Sequence, residues 1–309
     1  MKTNKLKSIY KLFLETVVAC MHADVVSQGA ALSYYTFFAI APLFVIVLAM
    51  AGFCFGDEAA RKELFGQLNE LVGKDGGNAI QSMVAAANRP RLGLFAGVIA
   101  TGTLGLAATG VFVQLQTSLN SIWNVRLAPG HEIKRFIRHR LLSFAMILGV
   151  GFLLLVSLVV SAALSALGNF MGNYLTGKEM LLNTLNFALS LGIITTLFAM
   201  IFKFLPDVKI AWRSAWQGGF VTAILFNLGK ILLGIYIGRS SLASVYGAVG
   251  SLVVLLLWVY YSAQILLFGA QFTRLCTIRF GPPPVPVRDA EFMRADRAGH
   301  GLGGRDRKA

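Results

Sequence analysis

Long stretches without charged side chains constrain this fold more than any other feature of the sequence. Five windows hold no Asp, Glu, Lys or Arg, and a sixth holds only Lys230. They cover residues 25–56, 92–125, 141–177, 180–202, 214–238 and 240–273, and their lengths run from 23 to 37 residues. About 20 predominantly apolar residues suffice for a helix to cross the hydrocarbon core. Each window is long enough for one crossing and too short for two, which predicts six transmembrane helices.

The composition favours the same class and excludes others. Of the 309 residues, 56% are hydrophobic and 14% are charged, and the mean hydropathy is +0.68. Disordered chains have low hydrophobicity, and soluble domains carry about a quarter of their residues as charges. Strands of a membrane barrel alternate apolar and polar residues, whereas the stretch LVVLLLW at 252–258 does not alternate. We therefore expect an all-α, polytopic membrane protein.

The basic residues predict its orientation, because Lys and Arg concentrate in cytoplasmic segments. Of the 28 basic residues, 20 fall in alternate segments on one side and 7 on the other, and Lys230 is the last. Both termini are therefore predicted to be cytoplasmic. The net charge of +14 is interpreted first as a topology signal and second as a surface for anionic lipid. It is not interpreted as a nucleic-acid footprint.

Three regions are expected along the chain. Residues 1–24 have the pattern of an amphipathic interfacial helix with lysines off its apolar face, although packing beneath the membrane helices fits equally well. Residues 25–273 form the six-helix transmembrane domain. Within it, a glycine-containing turn in 57–91 predicts an outer helical hairpin. Residues 274–309 are Pro-rich and then charged and Gly-rich, which predicts a flexible basic cytoplasmic tail.

Residue types that carry catalysis are scarce. The chain has four histidines and no HExxH, GxSxG or GxxxxGK[ST] pattern, whereas metal hydrolases need several converging Asp, Glu or His ligands. Its three cysteines are isolated, so neither a disulfide framework nor a zinc site is indicated. We therefore expect no catalytic residues, no metal and no cofactor, and we predict that the chain is not an enzyme.

Polar residues inside the spans are the candidate functional residues, since a polar group in lipid needs a partner or a wet cavity. Lys230 is accompanied by Asn227 about one turn earlier. An ionised lysine at mid-bilayer costs on the order of 3 kcal/mol. Lys230 lies eight residues from the outer end of its window, about 12 Å, so its side chain could also reach the interface. Two interpretations stay open: a cavity-lining cation that meets an anionic substrate, or a snorkelling anchor.

Two polar stripes lie on other spans. Gln116 and Asn120 are four residues apart and share a helical face. Tyr260, Gln264 and Gln271 also share one face. Such stripes form hydrogen bonds between helices or line a polar path, and the spacing alone does not separate these roles.

Four segments together resemble the YihY/BrkB family of bacterial inner-membrane proteins. They are ALSYYTFFAIAP (31–42), LQTSLNSIW (115–123), FLPDVKI with WRSAWQGG (204–219) and YGAVGSLVVLLLWVYYSAQILLFGAQFT (246–273). The last is the most specific, because its length and mixture of Tyr, Gln and Gly are hard to reach by chance. The resemblance implies six spans in the inner membrane. It also implies a link to envelope lipid transport, whereas the ribonuclease BN label of some members is not supported by the residues above.

The resemblance also points to particular polar positions. Gln271 stands where an acidic residue is common in the family. Asp207 is expected to pair with Lys209 or to cap the next helix, with ion coupling as the less favoured role. The matching positions are Tyr34, Tyr35, Asp207, Lys209, Lys230, Tyr260, Tyr261 and Gln264.

The predicted function is transport or translocation of an anionic or amphiphilic envelope-related solute, such as a lipid precursor, with anionic membrane lipids as partners. The alternative is a non-transporting scaffold that binds anionic lipid or protein partners; ribonuclease activity and nucleic-acid binding are disfavoured. Substrate, coupling ion, direction and oligomeric state, a homo-oligomer included, are left open. Substrate-path candidates are Lys230, Asn227, Gln116, Asn120, Tyr260, Gln264 and Tyr34, and the inner-face motif is Asp207 with Lys209.

Overall fold

The computed structural model describes residues 2–87, 110–127, 178–239, 250–287 and 290–293, and these are mostly helical. The helices are α1 Lys2–His22, α2 Val25–Phe55, α3 Asp57–Ala87, α4 with residues 110–122, α5 Lys178–Phe204, α6 Trp212–Arg239 and α7 Gly250–Phe280. The strands are β1 Val125–Leu127, β2 Val208–Lys209, β3 Val285–Pro286 and β4 Ala290–Phe292.

Three described helices are long and apolar enough to cross a membrane. Their apolar stretches are Phe187–Phe204 in α5, Trp212–Tyr236 in α6 and Leu252–Phe280 in α7. The predicted helical class and the presence of membrane-length helices are therefore confirmed for the described residues. The predicted spans at 92–125 and 141–177 fall mostly or wholly outside those residues. The count of six spans and the cytoplasmic termini stay predictions.

Helix α7 lies at the centre of the described bundle. It contacts α1, α2, α3 and α6, and α5 packs on α6. The largest hydrophobic core takes side chains from five helices, and Leu119, Ala223 and Leu267 at its centre are fully buried. Helices α6 and α7 run antiparallel and approach closely where a glycine faces a hydroxyl-bearing side chain, as small residues permit in membrane helix pairs. The contacting pairs are Gly218 with Thr273, Gly269 with Thr222 and Gly229 with Tyr261.

Helix α3 folds back on itself, although helical structure runs from Asp57 to Ala87. A β-carbon built on Gly77 would lie 3.6 Å from the α-carbon of Asn69, whereas eight residues of straight helix span about 12 Å. Leu64 and Ile80, one from each half, also belong to one buried cluster. The helix therefore bends sharply between Asn69 and Gly77, inside the segment for which the sequence predicts a hairpin. Gly77 tolerates this approach because it has no side chain.

The segment expected to form a flexible tail is structured in its first part. Helix α7 continues to Phe280, and β3 and β4 then pair antiparallel with β2 and β1. Prolines prevent a helix here, yet extended backbone can still pair with a short strand that has a free edge. We call residues 281–287 and 290–293 the strap, and the end of the bundle where they lie the strap end. Residues 294–309 lie outside the described residues.

Candidate functional site

A buried carboxylate lies at the strap end, in the connection between α5 and α6. Helix α5 ends at Phe204, because Pro206 lacks the N–H that would continue it. Asp207 follows, and only 4% of it is exposed. A buried charge is costly unless it is hydrogen-bonded. The partners of Asp207 therefore determine how this connection is held.

Gln116 and Asn120, one turn apart on α4, supply those partners. Asn120 Nδ2 donates to Asp207 Oδ2 at 2.8 Å, and Gln116 Nε2 donates to the same oxygen at 3.2 Å. The backbone N–H of Asp207 donates back to Asn120 Oδ1 at 2.8 Å. Asn120 thus makes a reciprocal pair with Asp207 that fixes the orientation of its amide. We call Gln116, Asn120 and Asp207 the Asp207 cluster.

Lys209 is not part of this cluster, and the structure differs here from the expected pairing. Side chains alternate along a strand, so Val208 is buried whereas Lys209 is exposed. The carboxylate of Asp207 points towards α4 and accepts its hydrogen bonds there. Among the described contacts, Asp207 and Lys209 form no ion pair.

The strap adds backbone hydrogen bonds beside the cluster. The N–H of Val287 donates to the backbone oxygen of Asp207 at 3.0 Å, and the N–H of Met293 donates to that of Asn124 at 2.8 Å. These bonds connect the segment after α7 to the α5–α6 connection and to the end of α4. The polar side chains and the strap together connect α4, the α5–α6 connection and the segment after α7 at one end of the bundle.

Two glutamines contribute polar groups to the core, and the sequence did not single out the first. Gln28 Nε2, near the start of α2, donates to the backbone oxygen of Ala23 at 2.9 Å and to Ser121 Oγ at 3.2 Å. Gln271 is 2% exposed. The Oε1 atoms of both glutamines are buried without a partner among the described residues. The only sequence signal for Gln28 was a polar residue early in the first apolar window.

The exposed side chains of α6 indicate where this helix would meet the bilayer. Large apolar residues are exposed at every fourth position from Trp212 to Tyr236. Trp and Tyr prefer the membrane interfaces. Trp216 and Tyr236 are 20 residues apart, about 30 Å of helix, which matches the hydrocarbon thickness. In this frame Lys230 lies six residues, about 9 Å, inside the boundary marked by Tyr236.

Lys230 lies on the protein-facing side of α6. It is half-buried, as are Phe226 and Leu233 at neighbouring positions of the same side, whereas Ile231 and Leu232 are exposed. The contact of Gly229 with Tyr261 places Lys230 at the level of residues 260–261 of α7. No hydrogen bond or ion pair joins its ammonium group to any residue within the described ranges. Lys230 therefore faces neighbouring parts of the protein and not the surrounding lipid.

The other predicted path residues are spread over the bundle, and Asn227 and Tyr260 are the ones at the level of Lys230. Asn227 Nδ2 donates to the backbone oxygen of Ala223 at 2.9 Å, within its own helix. Gln264 Nε2 donates to the backbone oxygen of Val26 on α2 at 3.2 Å. Tyr260 is half-buried, and Tyr34 is exposed. The structure therefore places Gln116 and Asn120 at the strap end, Gln264 against α2, and Lys230 with Asn227 near the other end of α6.

The residues that the structure describes also bear on metal binding. Among them, no group of three or more His, Cys, Asp or Glu side chains could hold a metal ion. The polar atoms of the site are instead amides, one carboxylate and one ammonium group. Amide, carboxylate and ammonium groups form hydrogen bonds and attract charged groups.

Known bacterial proteins resemble this chain over most of its length. The family model described as Virulence factor BrkB matches residues 17–290, which includes much of the strap. UPF0761 membrane proteins of Pseudomonas paraeruginosa (strain DSM 24068 / PA7) and Verminephrobacter eiseniae (strain EF01-2) are 28% and 29% identical over 249 and 259 residues. Each alignment covers 79% of this chain and 57% of the relative.

A third relative matches a shorter part. The UPF0761 membrane protein of Ralstonia nicotianae (strain ATCC BAA-1114 / GMI1000) is 32% identical over 179 residues, 56% of this chain and 38% of that protein. The alignments thus cover between 38% and 57% of the length of these three relatives. No solved structure matches it. Because the BrkB model covers most of its residues, the chain belongs to the BrkB (YihY) virulence factor family, as a multi-pass protein of the bacterial inner membrane.

Proposed function

We propose that this chain moves an anionic or amphiphilic envelope-related solute, such as a lipid precursor, across or within the inner membrane. The observation that carries the proposal is the position of Lys230. Its side chain is half-buried on the protein-facing side of a membrane-length helix, without a hydrogen bond or ion pair to the described residues. An ammonium group at the centre of the bilayer costs on the order of 3 kcal/mol, and an anionic group bound beside Lys230 would offset the part of that cost that applies at its depth.

The neighbours of Lys230 favour an amphiphilic solute over a small ion. Ile231 and Leu232 follow it directly in sequence and are exposed, so apolar surface of α6 begins next to Lys230. An acidic headgroup at Lys230 would therefore place attached acyl chains along the apolar surface of the same helix. The Asp207 cluster lies at the opposite end of α6 and would hold the strap end of the bundle together during movement.

The proposed activity is binding and movement rather than catalysis. It requires no catalytic residue, metal or cofactor, because a cation, a set of amides and an apolar surface suffice to hold an acidic amphiphile. The proposal accordingly assigns no reaction to this chain.

The test is lipid movement in proteoliposomes that contain a fluorescent anionic phospholipid. We expect Lys230→Met to reduce the rate at which the label exchanges between leaflets at least tenfold, and Lys230→Arg to retain most of it. Lys62→Met, at an exposed position on α3, removes the same charge and serves as the control. Normal exchange in correctly folded Lys230→Met protein would contradict the proposal.

A second candidate, a non-transporting scaffold, is favoured by one observation. The hydrogen bonds among the strap, the α5–α6 connection and α4 fix the strap end as one surface. A scaffold would use that surface for anionic lipid or protein partners and would not need Lys230. Wild-type proteoliposomes without leaflet exchange, together with retained lipid binding by Lys230→Met protein, would favour this candidate.

A further inference from the structure

An exposed group of aromatic and basic side chains lies where α5 meets α6, away from Lys230. Phe204 ends α5, and Trp212 and Trp216 lie on successive turns of α6; all three are close to half-exposed. Lys209 and Arg213, which lie near them in sequence, are also exposed. We call these five residues the α5–α6 patch.

The aromatic part of the patch is held in place. The rings of Phe204 and Trp212 meet edge-to-face, with centroids 5.6 Å apart at 80°. Lys203 Nζ lies 5.6 Å from the centroid of Trp212 and donates to the backbone oxygen of Ile210. A cation over the indole face is attractive. Trp212 is therefore fixed by two neighbours while nearly half of its surface stays exposed.

The charge of the patch is positive at its surface. Asp207 is the only acidic residue between 203 and 217, and its carboxylate is buried against α4. Lys209 and Arg213 have no ion pair or hydrogen bond to described residues. Their charges are thus available to an anion that arrives from outside the protein.

The depth of the patch in the membrane favours a phospholipid over free phosphate as the bound anion. The distance of about 30 Å between Trp216 and Tyr236 matches the hydrocarbon core and indicates that Trp216 lies at its boundary. Arg213 and Lys209 lie three and seven positions before it. Aromatic rings at that boundary contact acyl chains near their headgroups, whereas free phosphate has no apolar part to bind them. We propose that the α5–α6 patch binds an anionic phospholipid of the adjacent leaflet, with its phosphate between Lys209 and Arg213, its glycerol region at Trp212 and its acyl chains against Trp216.

This site is separate from the transport path, so the inference does not rest on the proposed function. A substrate at Lys230 would pass through the bundle, whereas a lipid at the α5–α6 patch stays at its periphery. Each basic side chain near a membrane surface contributes about 1 kcal/mol towards anionic lipid, which corresponds to about a fivefold change in affinity. Removal of both cations should therefore weaken binding roughly thirtyfold.

The test uses tryptophan quenching by lipids that carry a spin label near the headgroup. Full-length protein in phosphatidylcholine nanodiscs is titrated with spin-labelled phosphatidylglycerol or spin-labelled phosphatidylcholine. We expect phosphatidylglycerol to quench at much lower mole fraction. We also expect the double variant Lys209→Gln/Arg213→Gln to lose this preference. Arg61→Gln/Lys62→Gln, which removes two exposed charges from α3, should keep it.

Two further arms make the result decisive. Replacing both Trp212 and Trp216 by Phe should remove most of the headgroup-dependent quenching while apolar rings remain, which locates the bound lipid. Excess inorganic phosphate should not reduce the quenching. The inference is overturned if both lipids quench equally, if the preference survives in the Lys209→Gln/Arg213→Gln protein, or if inorganic phosphate displaces the lipid.

Discussion

Replacement of Asn120 by Ala should destabilise the protein strongly, because Asn120 holds the buried carboxylate of Asp207. The change removes the donor to Asp207 Oδ2 at 2.8 Å and the acceptor for the Asp207 N–H at 2.8 Å. A hydrogen bond to a charged group is worth about 1.5–3 kcal/mol, and an unpaired buried N–H costs about 1–3 kcal/mol. Among the described residues, Gln116 remains as the one side-chain donor to the carboxylate. We expect a total loss of about 3–4 kcal/mol in the free energy of unfolding.

The assay is unfolding by SDS titration in mixed micelles, followed by fluorescence. Trp123 is buried three residues after Asn120 and should report local opening. Thr117→Ala is the matched control: its hydroxyl is exposed and bonds only to Val113 within the same helix, so its loss should stay within about 0.5 kcal/mol. If Asn120→Ala costs no more than Thr117→Ala, Asp207 is not held as described and the reasoning is refuted.

Three further predictions concern packing, titration and ion pairing. Gly219→Ala should lower the free energy of unfolding by about 1–3 kcal/mol, because the added β-carbon would lie 2.7 and 2.8 Å from backbone atoms of α5. Gly234→Ala should raise it by up to about 1 kcal/mol, because no atom lies within 4 Å of the added β-carbon. Equal effects of the two variants in the SDS titration would contradict the described packing. Burial raises the pKa of Cys20 from 9.0 to about 11, so its alkylation rate, in protein lacking the other cysteines, should climb until about pH 11 rather than level off near pH 9. Glu291→Gln should lower the free energy of unfolding by less than about 1 kcal/mol, since the ion pair of Glu291 with Arg126, at 2.9 Å, is partly exposed. High salt should reduce this loss further, and a larger loss that does not depend on salt would contradict the prediction.

The helical class could be predicted because it rests on one strong constraint. Backbone groups in hydrocarbon must pair within a helix, so uncharged windows longer than 20 residues leave few alternatives. The stretches 180–202 and 214–238 accordingly fall within α5 and α6, and the described part of 240–273 lies in α7. The shared face of Gln116 and Asn120 could also be predicted from helical spacing alone, and in the structure both side chains donate hydrogen bonds to Asp207.

The partners across the fold could not be predicted, because they depend on contacts between residues far apart in sequence. Nothing local in the sequence connects Asn120 to Asp207, 87 residues away, and the nearest opposite charge, Lys209, was the natural but unused choice. The structure of the strap could not be predicted for the same reason. Its composition is typical of a flexible tail, yet it forms strands that pair with β2 and β1, which come from distant parts of the sequence. The sequence alone could not decide whether Lys230 lines a cavity or snorkels to the interface, because this depends on which helices pack against α6.

The central claim is that position 230 is open to an anionic solute from within the membrane domain. Its most direct test is labelling of Lys230→Cys by a negatively charged methanethiosulfonate, in protein without native cysteines. Leu228→Cys, two residues away on the lipid-facing side, is the control. We predict that position 230 reacts, that position 228 does not, and that an anionic phospholipid slows the reaction at 230. Equal lack of reaction at both positions would contradict the account.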